Sequence, residues 1–430
     1  MNKIKNKLKL IMLLSLTVLM IINIFCPVVK ADEVNSANSP ASVTVMSPHA
    51  ILLNSENGQI LFEQNAREKA YPASTTKLMT AILTLENCKL EDEVIIDKQA
   101  LMGIPRSYTT AALQPNEKLT VDQLLHVLLI PSANDAANVL AFHVGGSIEA
   151  FAEKMNEKAK EIGCENTHFM NPSGIHNDDH YSTAYDMAKI GMYARKFDTI
   201  RQIATNTEYS LPNLPNGSLR HFKTTNTLIT PKNQYHYEFA NGLKTGYTDK
   251  AKSCIVATAQ KEDINLMCVV LGGDKTEDKK AQRELDCKTL FEYGFNHFKT
   301  VDVCTENGFA DKSKIEDIPS VLQDANIAYS RTLNLMVPSD NSYTEKYFLS
   351  SNLELPIKKG TVVGHVTYTI NGQDYTVDLV NSEDILPIGT KGINYVYRIL
   401  FIVLVLFIIM TLVKKKRRKS ESRYFKRSLY

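Results

Sequence analysis

The order in which strand-like and helix-like segments succeed one another constrains this chain more than any other feature. "HAILLNSENGQILFEQN" (residues 49–65) is two apolar runs joined at Asn57-Gly58, a dipeptide that favours the backbone of a tight hairpin turn. Apolar residues then recur at helical spacing from Ser74 to Leu85, and again through "VDQLLHVLLI", "NDAANVLAFHV" and "IEAFAEKMNEKAKEIG". Strand-like runs return near Lys244 and continue in "SCIVATAQ" and "INLMCVVLGG", on either side of a charged turn. A strand pair, a helical middle and three closing strands imply an α+β fold: an antiparallel sheet whose first and last segments meet, with helices packed against it.

A second unit follows the helical segment that ends at "LFEYGFNHF". There "PIKKGTVVGHVTYTINGQDYTVDLV" alternates apolar and polar residues about Asn371-Gly372, the pattern of a small all-β domain. Residues 301–390 hold no nucleophile–base set, so a stalk or protein-contact role is expected of them. Residues 32–42, "DEVNSANSPAS", are polar and read as a flexible lead-in. That leaves 43–300 for the first domain. No internal repeat interrupts it.

Both ends carry membrane signals. Four lysines in "MNKIKNKLKL", an apolar stretch from Ile11 to Phe25 and small Ala31 read as a secretory signal peptide spanning residues 1–31. Cys26 is not taken as a lipidation site, because bulky Phe25 precedes it. At the other end, residues 395–413, "YVYRILFIVLVLFIIMTLV", are apolar except for Arg398; about 19 residues at a rise of 1.5 Å reach roughly 28 Å, enough to cross a bilayer. The basic tail, residues 414–430, begins "KKKRRK", and the positive-inside rule assigns it to the cytoplasm and everything before Tyr395 to the outer side.

The formal charge of +2 conceals an uneven distribution, since the cationic surplus lies largely in the leader and the tail. The exported part is therefore acidic to neutral, which argues against a nucleic-acid partner, for which a basic face would be needed. Six cysteines follow the leader: Cys88, Cys164, Cys254, Cys268, Cys287 and Cys304. Their wide spacing matches neither a dense disulfide framework nor a metal-binding pattern, and most read as buried apolar residues. The sequence specifies no oligomeric state.

Three short motifs carry the chemistry. Ser74-Thr75-Thr76-Lys77 opens a helical run, so the Ser74 hydroxyl stands at a helix N-terminus, with Lys77 one turn on along the same face. A lysine shielded from water or near other cations has a lowered pKa and can take a hydroxyl proton. Ser132-Ala133-Asn134 follows Pro131 and precedes another helical run; taken alone, it would read as an N-cap. Lys244-Thr245-Gly246 lies on a strand, where glycine lets a ligand approach the backbone. Together the three supply the nucleophile, proton relay and anion clamp of an acyl-transfer enzyme.

With "YPASTTKLMTAIL", "LTVDQLLHVLLIPSANDAANVLA", "NPSGIHNDDHYSTAYDMAKI" and "NGLKTGYTDKA", the chain resembles the serine-type D-alanyl-D-alanine carboxypeptidases of peptidase family S11, the low-molecular-mass penicillin-binding proteins. The resemblance covers roughly residues 45–390 and implies the β-lactamase/DD-peptidase fold, with a small all-β domain behind it. It also implies removal of the terminal D-alanine from peptidoglycan pentapeptides through an acyl-enzyme, limiting cross-linking in cell-wall synthesis and shaping the cell, with β-lactams as covalent inhibitors and no cofactor or metal. On this reading Ser74 attacks the carbonyl of the penultimate D-alanine, Lys77 accepts its proton and Ser132 relays a proton to the leaving amine. Asn134 orients the peptide, and Lys244, Thr245 and Gly246 bind it about the free carboxylate. The amides of Ser74 and Tyr247 form the oxyanion hole. Arg283 aligns with a family arginine proposed to meet the carboxylate. Thr224-Thr225-Asn226 stands where some relatives carry a second arginine, which shifts carboxylate recognition toward Lys244 and Arg283.

Two decoys and two rivals accompany this reading. His176 and His180 have the spacing of a metal pair but lie in a polar, loop-like run. Thr183 and Asp186 have the spacing of a capping box. A serine β-lactamase shares the acylating set but needs a deacylating glutamate, and no convincing Glu-x-x-x-Asn element lies between the second and third motifs. A non-catalytic penicillin- or wall-binding protein would have no need of every motif residue.

Overall fold

The computed structural model describes residues 43–211, 219–274, 281–387 and 390–427; the signal peptide and lead-in expected over residues 1–42 lie outside them. A five-stranded antiparallel sheet organises the first domain. Its strands are β1 (His49–Asn54), β2 (Ile60–Gln64), β3 (Ala240–Thr248), β4 (Lys252–Lys261) and β5 (Ile264–Gly273), in the order β2-β1-β5-β4-β3. The first and last segments meet as the sequence implies: Ile51 of β1 faces Val269 of β5. Only Gly58 of the Asn57-Gly58 pair adopts positive φ, +78°, so the pair closes a loop longer than a two-residue turn.

Both faces of this sheet are buried, and the period-two alternation assigns each side chain to a layer. Ile51, Leu53, Val256, Met267 and Val269 pack among the helices on one face. Leu52, Ile255, Ala257, Leu266 and Val270 pack on the other, against α7 (Ala281–His297) through Leu290 and Phe291. Each large aliphatic side chain so enclosed contributes about 1.5–3 kcal/mol relative to exposure. The helical layer comprises α1 (Lys77–Asn87), α2 (Val121–Leu129), α3 (Asn134–Gly145), α4 (Ile148–Ile162), α5 (Ala184–Ala194) and α6 (Asp198–Ala204). Every residue of α1 from Lys77 to Thr84 is buried, so the helix that follows Ser74 is the central one.

Two helix starts bear on the sequence reading. Ser132 does not cap α3: the N-cap is Ala133, with no side-chain bond, and Ser132 takes φ +66°. Thr183 does cap α5, accepting from the Asp186 amide at 2.9 Å. The Asp186 carboxylate instead accepts from the amide of Asn166 at 2.8 Å and the hydroxyl of Thr167 at 2.8 Å, so it fastens a neighbouring loop and leaves the capping box half formed.

The second unit is all-β, as its alternation implies. β6 (Phe298–Cys304) pairs with β8 (Leu333–Pro338), while β7 (Ile327–Tyr329), β11 (Gln373–Asn381), β10 (Val362–Ile370) and β9 (Thr344–Leu349) follow one another in a four-stranded sheet. Asn371 and Gly372 both have positive φ, +50° and +73°, the backbone of a two-residue hairpin turn. Val363, Val366, Tyr368, Val377 and Leu379 form a core separate from the other two. Reciprocal amide bonds, Gln59 Nε2 to Met336 O and Met336 N to Gln59 Oε1, both 2.7 Å, tie β8 to the first domain. The final helix, α8, runs Thr390–Arg427. Its stretch Val396–Lys415 has mean hydropathy 2.8 with none of it buried, a candidate membrane anchor, and the helix continues into the basic tail.

All six cysteines are free. Cys254, Cys268, Cys287 and Cys304 are buried, whereas Cys88 and Cys164 are partly exposed.

Candidate active site

The three motifs converge where α1, α3 and β3 meet. Ser74 lies in a 3₁₀ turn, Ala73–Thr76, that leads directly into α1. That turn is closely packed on both sides. Ala73 has φ +48°, and the loop carrying Gly174 packs so closely that a Cβ there would lie 1.8 Å from Ala73 O. From the other side β3 passes over the nucleophile: a Cβ on Gly246 would lie 2.7 Å from the Ser74 amide nitrogen. Glycine at 246 is thus a requirement of space, and it brings the backbone of Gly246 and Tyr247 beside the Ser74 N–H.

Lys77 is fully buried, and its Nζ donates to Ser74 Oγ at 2.9 Å, Asn134 Oδ1 at 2.8 Å and Ser173 O at 2.7 Å. Burial lowers its pKa from 10.5 to about 7, against an opposing pull from Asp135. Two of the three partners, an amide oxygen and a backbone carbonyl, can only accept. A neutral Lys77 amine therefore spends its two N–H bonds on them and turns its lone pair to Ser74, the one partner with a proton to give. The arrangement poises Lys77 as a base toward Ser74.

Asn134 is oriented by its other end, since Nδ2 donates to Thr109 O at 2.9 Å. Asp135 fixes the loop that supplies this carbonyl: its carboxylate accepts from the amides of Ala111 at 2.9 Å and Leu113 at 3.1 Å. Burial raises the Asp135 pKa, and these bonds oppose the rise. Ser132 Oγ is buried with no hydrogen-bond partner, and the residue lines the cleft with Ser74 and Asn134. An unpartnered buried hydroxyl costs about 1–3 kcal/mol, a cost that a proton-relay role would explain and a helix cap would not.

Lys244 is as buried as Lys77 but differently partnered: Nζ donates to Thr245 O at 2.9 Å. Its pKa lies well below the usual range, through burial first and then the cations of Lys77 and Arg283. The Thr245 hydroxyl bonds that of Thr225. Arg283 is braced behind the strand, donating from Nη1 to Gly246 O at 2.9 Å and from Nε to Glu284 Oε1 at 3.0 Å, while still lining the cleft. The cleft itself encloses about 580 Å³. Tyr247 lies on its wall, its hydroxyl directed to Asp249 at 3.2 Å. Among the described residues lining it there is no glutamate, so the feature that would favour a β-lactamase is missing from the wall.

The structure thus brings together Ser74, Lys77, Ser132, Asn134, Lys244, Thr245, Gly246, Tyr247 and Arg283. Residue-by-residue reading of the sequence did not find the roles of Thr109, Asp135, Ser173, Gly174 and His180, the last of which it weighs only as half of a metal pair. The quoted segment "NPSGIHNDDH" contains three of these, without a sign of which atoms act; Ser173 contributes only its carbonyl. His180 is no metal ligand here. Its Nε2 bonds Thr76 Oγ1 at 2.9 Å and its Nδ1 accepts from Met170 N at 3.1 Å, which supports the turn beneath Ser74. Burial lowers its pKa to about 3.

Residues 33–275 match the family described as D-alanyl-D-alanine carboxypeptidase, and residues 325–386 match the penicillin-binding protein 5 C-terminal domain. D-alanyl-D-alanine carboxypeptidase DacF of Bacillus subtilis is 30% identical over 75% of this chain and 82% of its own. DacC of Escherichia coli, of the same description, is 32% identical over 75% and 80%. Penicillin-binding protein 5 of Haemophilus influenzae superposes with a TM-score of 0.64 at 25% identity, covering 81% of this chain and 99% of that one.

Proposed function

Because the chain belongs to the D-alanyl-D-alanine carboxypeptidase family of serine peptidases, we propose a division of labour among its residues. The activity is removal of the C-terminal D-alanine from peptidoglycan peptides, and the same site binds β-lactams. Ser74 Oγ attacks the carbonyl of the penultimate D-alanine while its proton passes to Lys77 Nζ. The amides of Ser74 and Tyr247 hold the oxyanion, often the largest single catalytic contribution. The C–N bond then breaks, and Ser132 relays a proton from Lys77 to the departing amine. Water repeats the sequence on the acyl-enzyme, with Lys77 again the base. Lys244, Thr245 and Arg283 surround the free carboxylate, a charge-assisted contact that selects a chain terminus over an internal peptide bond.

The observation that carries this reading is the bonding of Lys77: buried, with two pure acceptors and one hydroxyl, it is set to take the proton of Ser74. The domain roles are proposed on separate grounds, the all-β second unit and the apolar C-terminal helix. Residues 43–300 form the catalytic unit, and 301–390 hold it away from the membrane that residues 395–413 span. The basic tail is cytoplasmic and the catalytic unit faces the wall, where D-alanine-terminated peptides are found.

Ser74→Ala tests the assignment. The variant should keep the thermal transition of the wild type, lose covalent labelling by a fluorescent penicillin, and release no D-alanine from a D-alanyl-D-alanine peptide. Labelling that persists in the variant would identify another nucleophile.

A further inference from the structure

The cleft has opposite charges at its two ends. Thr245 and Arg283 line the cleft toward one end of the ligand-facing stretch of β3, beside the buried Lys244, and Asp249 stands at the other, just past Thr248, where the strand turns toward β4. Asp249 is the one carboxylate among the described residues lining the cleft. It is exposed, and its Oδ1 accepts from the Tyr247 hydroxyl at 3.2 Å. The nearby Lys252 is engaged with Asp274 at 3.0 Å. Among the described residues, Asp249 thus lines the cleft with the Tyr247 hydroxyl as its hydrogen-bond partner, while Lys252, which also feels its charge, makes its ion pair with Asp274.

The direction of the substrate follows from the roles proposed above, on which this inference rests. With the terminal carboxylate at Lys244–Thr245 and the scissile carbonyl between the amides of Ser74 and Tyr247, the acyl side of the peptide continues along β3 toward Asp249. An extended chain advances about 3.3 Å per residue, so the residue before the two D-alanines lies roughly 7 Å from the carboxylate clamp, within a side chain's reach of Asp249. Its chemistry is constrained by the reaction that competes for the same peptide. Cross-linking joins a penultimate D-alanine carbonyl to an amine on a neighbouring peptide, so a peptide not yet used as an acceptor still offers a free ammonium on that side chain.

We propose that Asp249 forms an acyl-side subsite for this ammonium, so that the enzyme prefers D-alanyl-D-alanine peptides whose preceding residue carries a free side-chain amine. A peptide whose amine has already been acylated in a cross-link is then the poorer substrate, which places trimming ahead of acceptor use.

The test compares kcat/KM of the full-length, detergent-extracted protein on three acylated peptides ending in D-alanyl-D-alanine, with lysine, Nε-acetyllysine or diaminopimelate before the two D-alanines. The wild type should favour both ammonium peptides over the acetylated one by about two- to fivefold, the scale of a partly exposed ion pair. Asp249→Asn should bring that ratio to one and Asp249→Lys should invert it. Because the readout is a ratio within one variant, a general loss of activity cancels. A wild-type ratio of one, or a ratio unchanged in Asp249→Asn, overturns the inference while leaving the carboxypeptidase assignment in place. Preference for the diaminopimelate peptide alone also overturns it, since recognition would then depend on the extra carboxylate. Hydrolysis of none of the three by wild-type protein overturns the proposed substrate orientation and the inference together.

Discussion

The two walls of the cleft each carry a fully buried lysine, yet they are finished to different degrees. On the α1 wall, Lys77 has three hydrogen-bond partners, and the residues that orient those partners are themselves fixed, Asn134 by Thr109 and the Thr109 loop by Asp135. On the β3 wall, Lys244 has one acceptor among the described residues, its neighbour's carbonyl, and lies near Lys77 and Arg283. Proton transfer needs groups held in place before the substrate arrives. Anion binding needs the reverse: donors and positive charge that the protein leaves uncompensated for the ligand to complete. The difference in bonding thus matches the proposed division between a wall that does chemistry and a wall that binds the carboxylate.

The largest expected effect comes from the unfinished wall. Lys244→Met should erase discrimination between a D-alanyl-D-alanine peptide and its C-terminal amide. Hydrogen bonds to charged groups are worth about 1.5–3 kcal/mol, so the wild type should favour the free carboxylate by roughly tenfold to a hundredfold in kcat/KM. If the variant keeps that preference, the clamp lies elsewhere and the contrast between the walls loses its meaning.

The finished wall is probed by pH. Lys77 must be neutral to accept the Ser74 proton, and its pKa is lowered to about 7. The rate of penicillin acylation should therefore fall about tenfold per pH unit below 7, with no inflection near the ordinary lysine value. The sign for stability is fixed by the same shift: between pH 7 and 10.5 the unfolded chain binds a proton that the folded one does not, so this group makes stability rise with pH across that window. Labelling rates and melting temperatures measured from pH 5 to 8 would separate the two readouts, because the rate should respond below pH 7, where this contribution to stability is nearly flat.

Much of this was legible in the sequence, for identifiable reasons. The succession of strands and helices, and the meeting of the first and last strands, followed from short apolar runs and from apolar residues at helical spacing, because a sheet covered on both faces needs apolar strands and the helices that cover it need apolar faces. The motif residues were found because their side-chain types and spacing carry a signature. What escaped were groups acting through the backbone, such as the carbonyls of Thr109 and Ser173, which carry no residue-type signature. The N-cap that the second motif would suggest if taken alone is likewise not made by Ser132. A serine before a helix is a good cap only in extended backbone, and the φ of +66° at Ser132 turns its hydroxyl away from the helix amides. Asp186 showed the complementary case: its spacing from Thr183 was read correctly, but the carboxylate found better donors across the fold than the one a capping box offers.

Thr225 offers the finest test of the contrast, because it links the two walls. Its hydroxyl bonds that of Thr245 on β3, its amide donates to Ile130 O just ahead of the second motif at 3.2 Å, and its carbonyl accepts from Arg283 Nη2 at 3.4 Å. The backbone bonds survive any side-chain change, so Thr225→Val isolates the hydroxyl. If the pair of hydroxyls sets the direction in which Thr245 donates to the substrate carboxylate, the variant should lose about two- to tenfold in kcat/KM, the worth of one net hydrogen bond. The loss should fall mainly in KM, be smaller on the C-terminal amide, and be recovered by Thr225→Ser. An equal loss on carboxylate and amide would mean that Thr225 shapes the strand and not the clamp, and carboxylate recognition would then rest on Lys244, Thr245 and Arg283 alone.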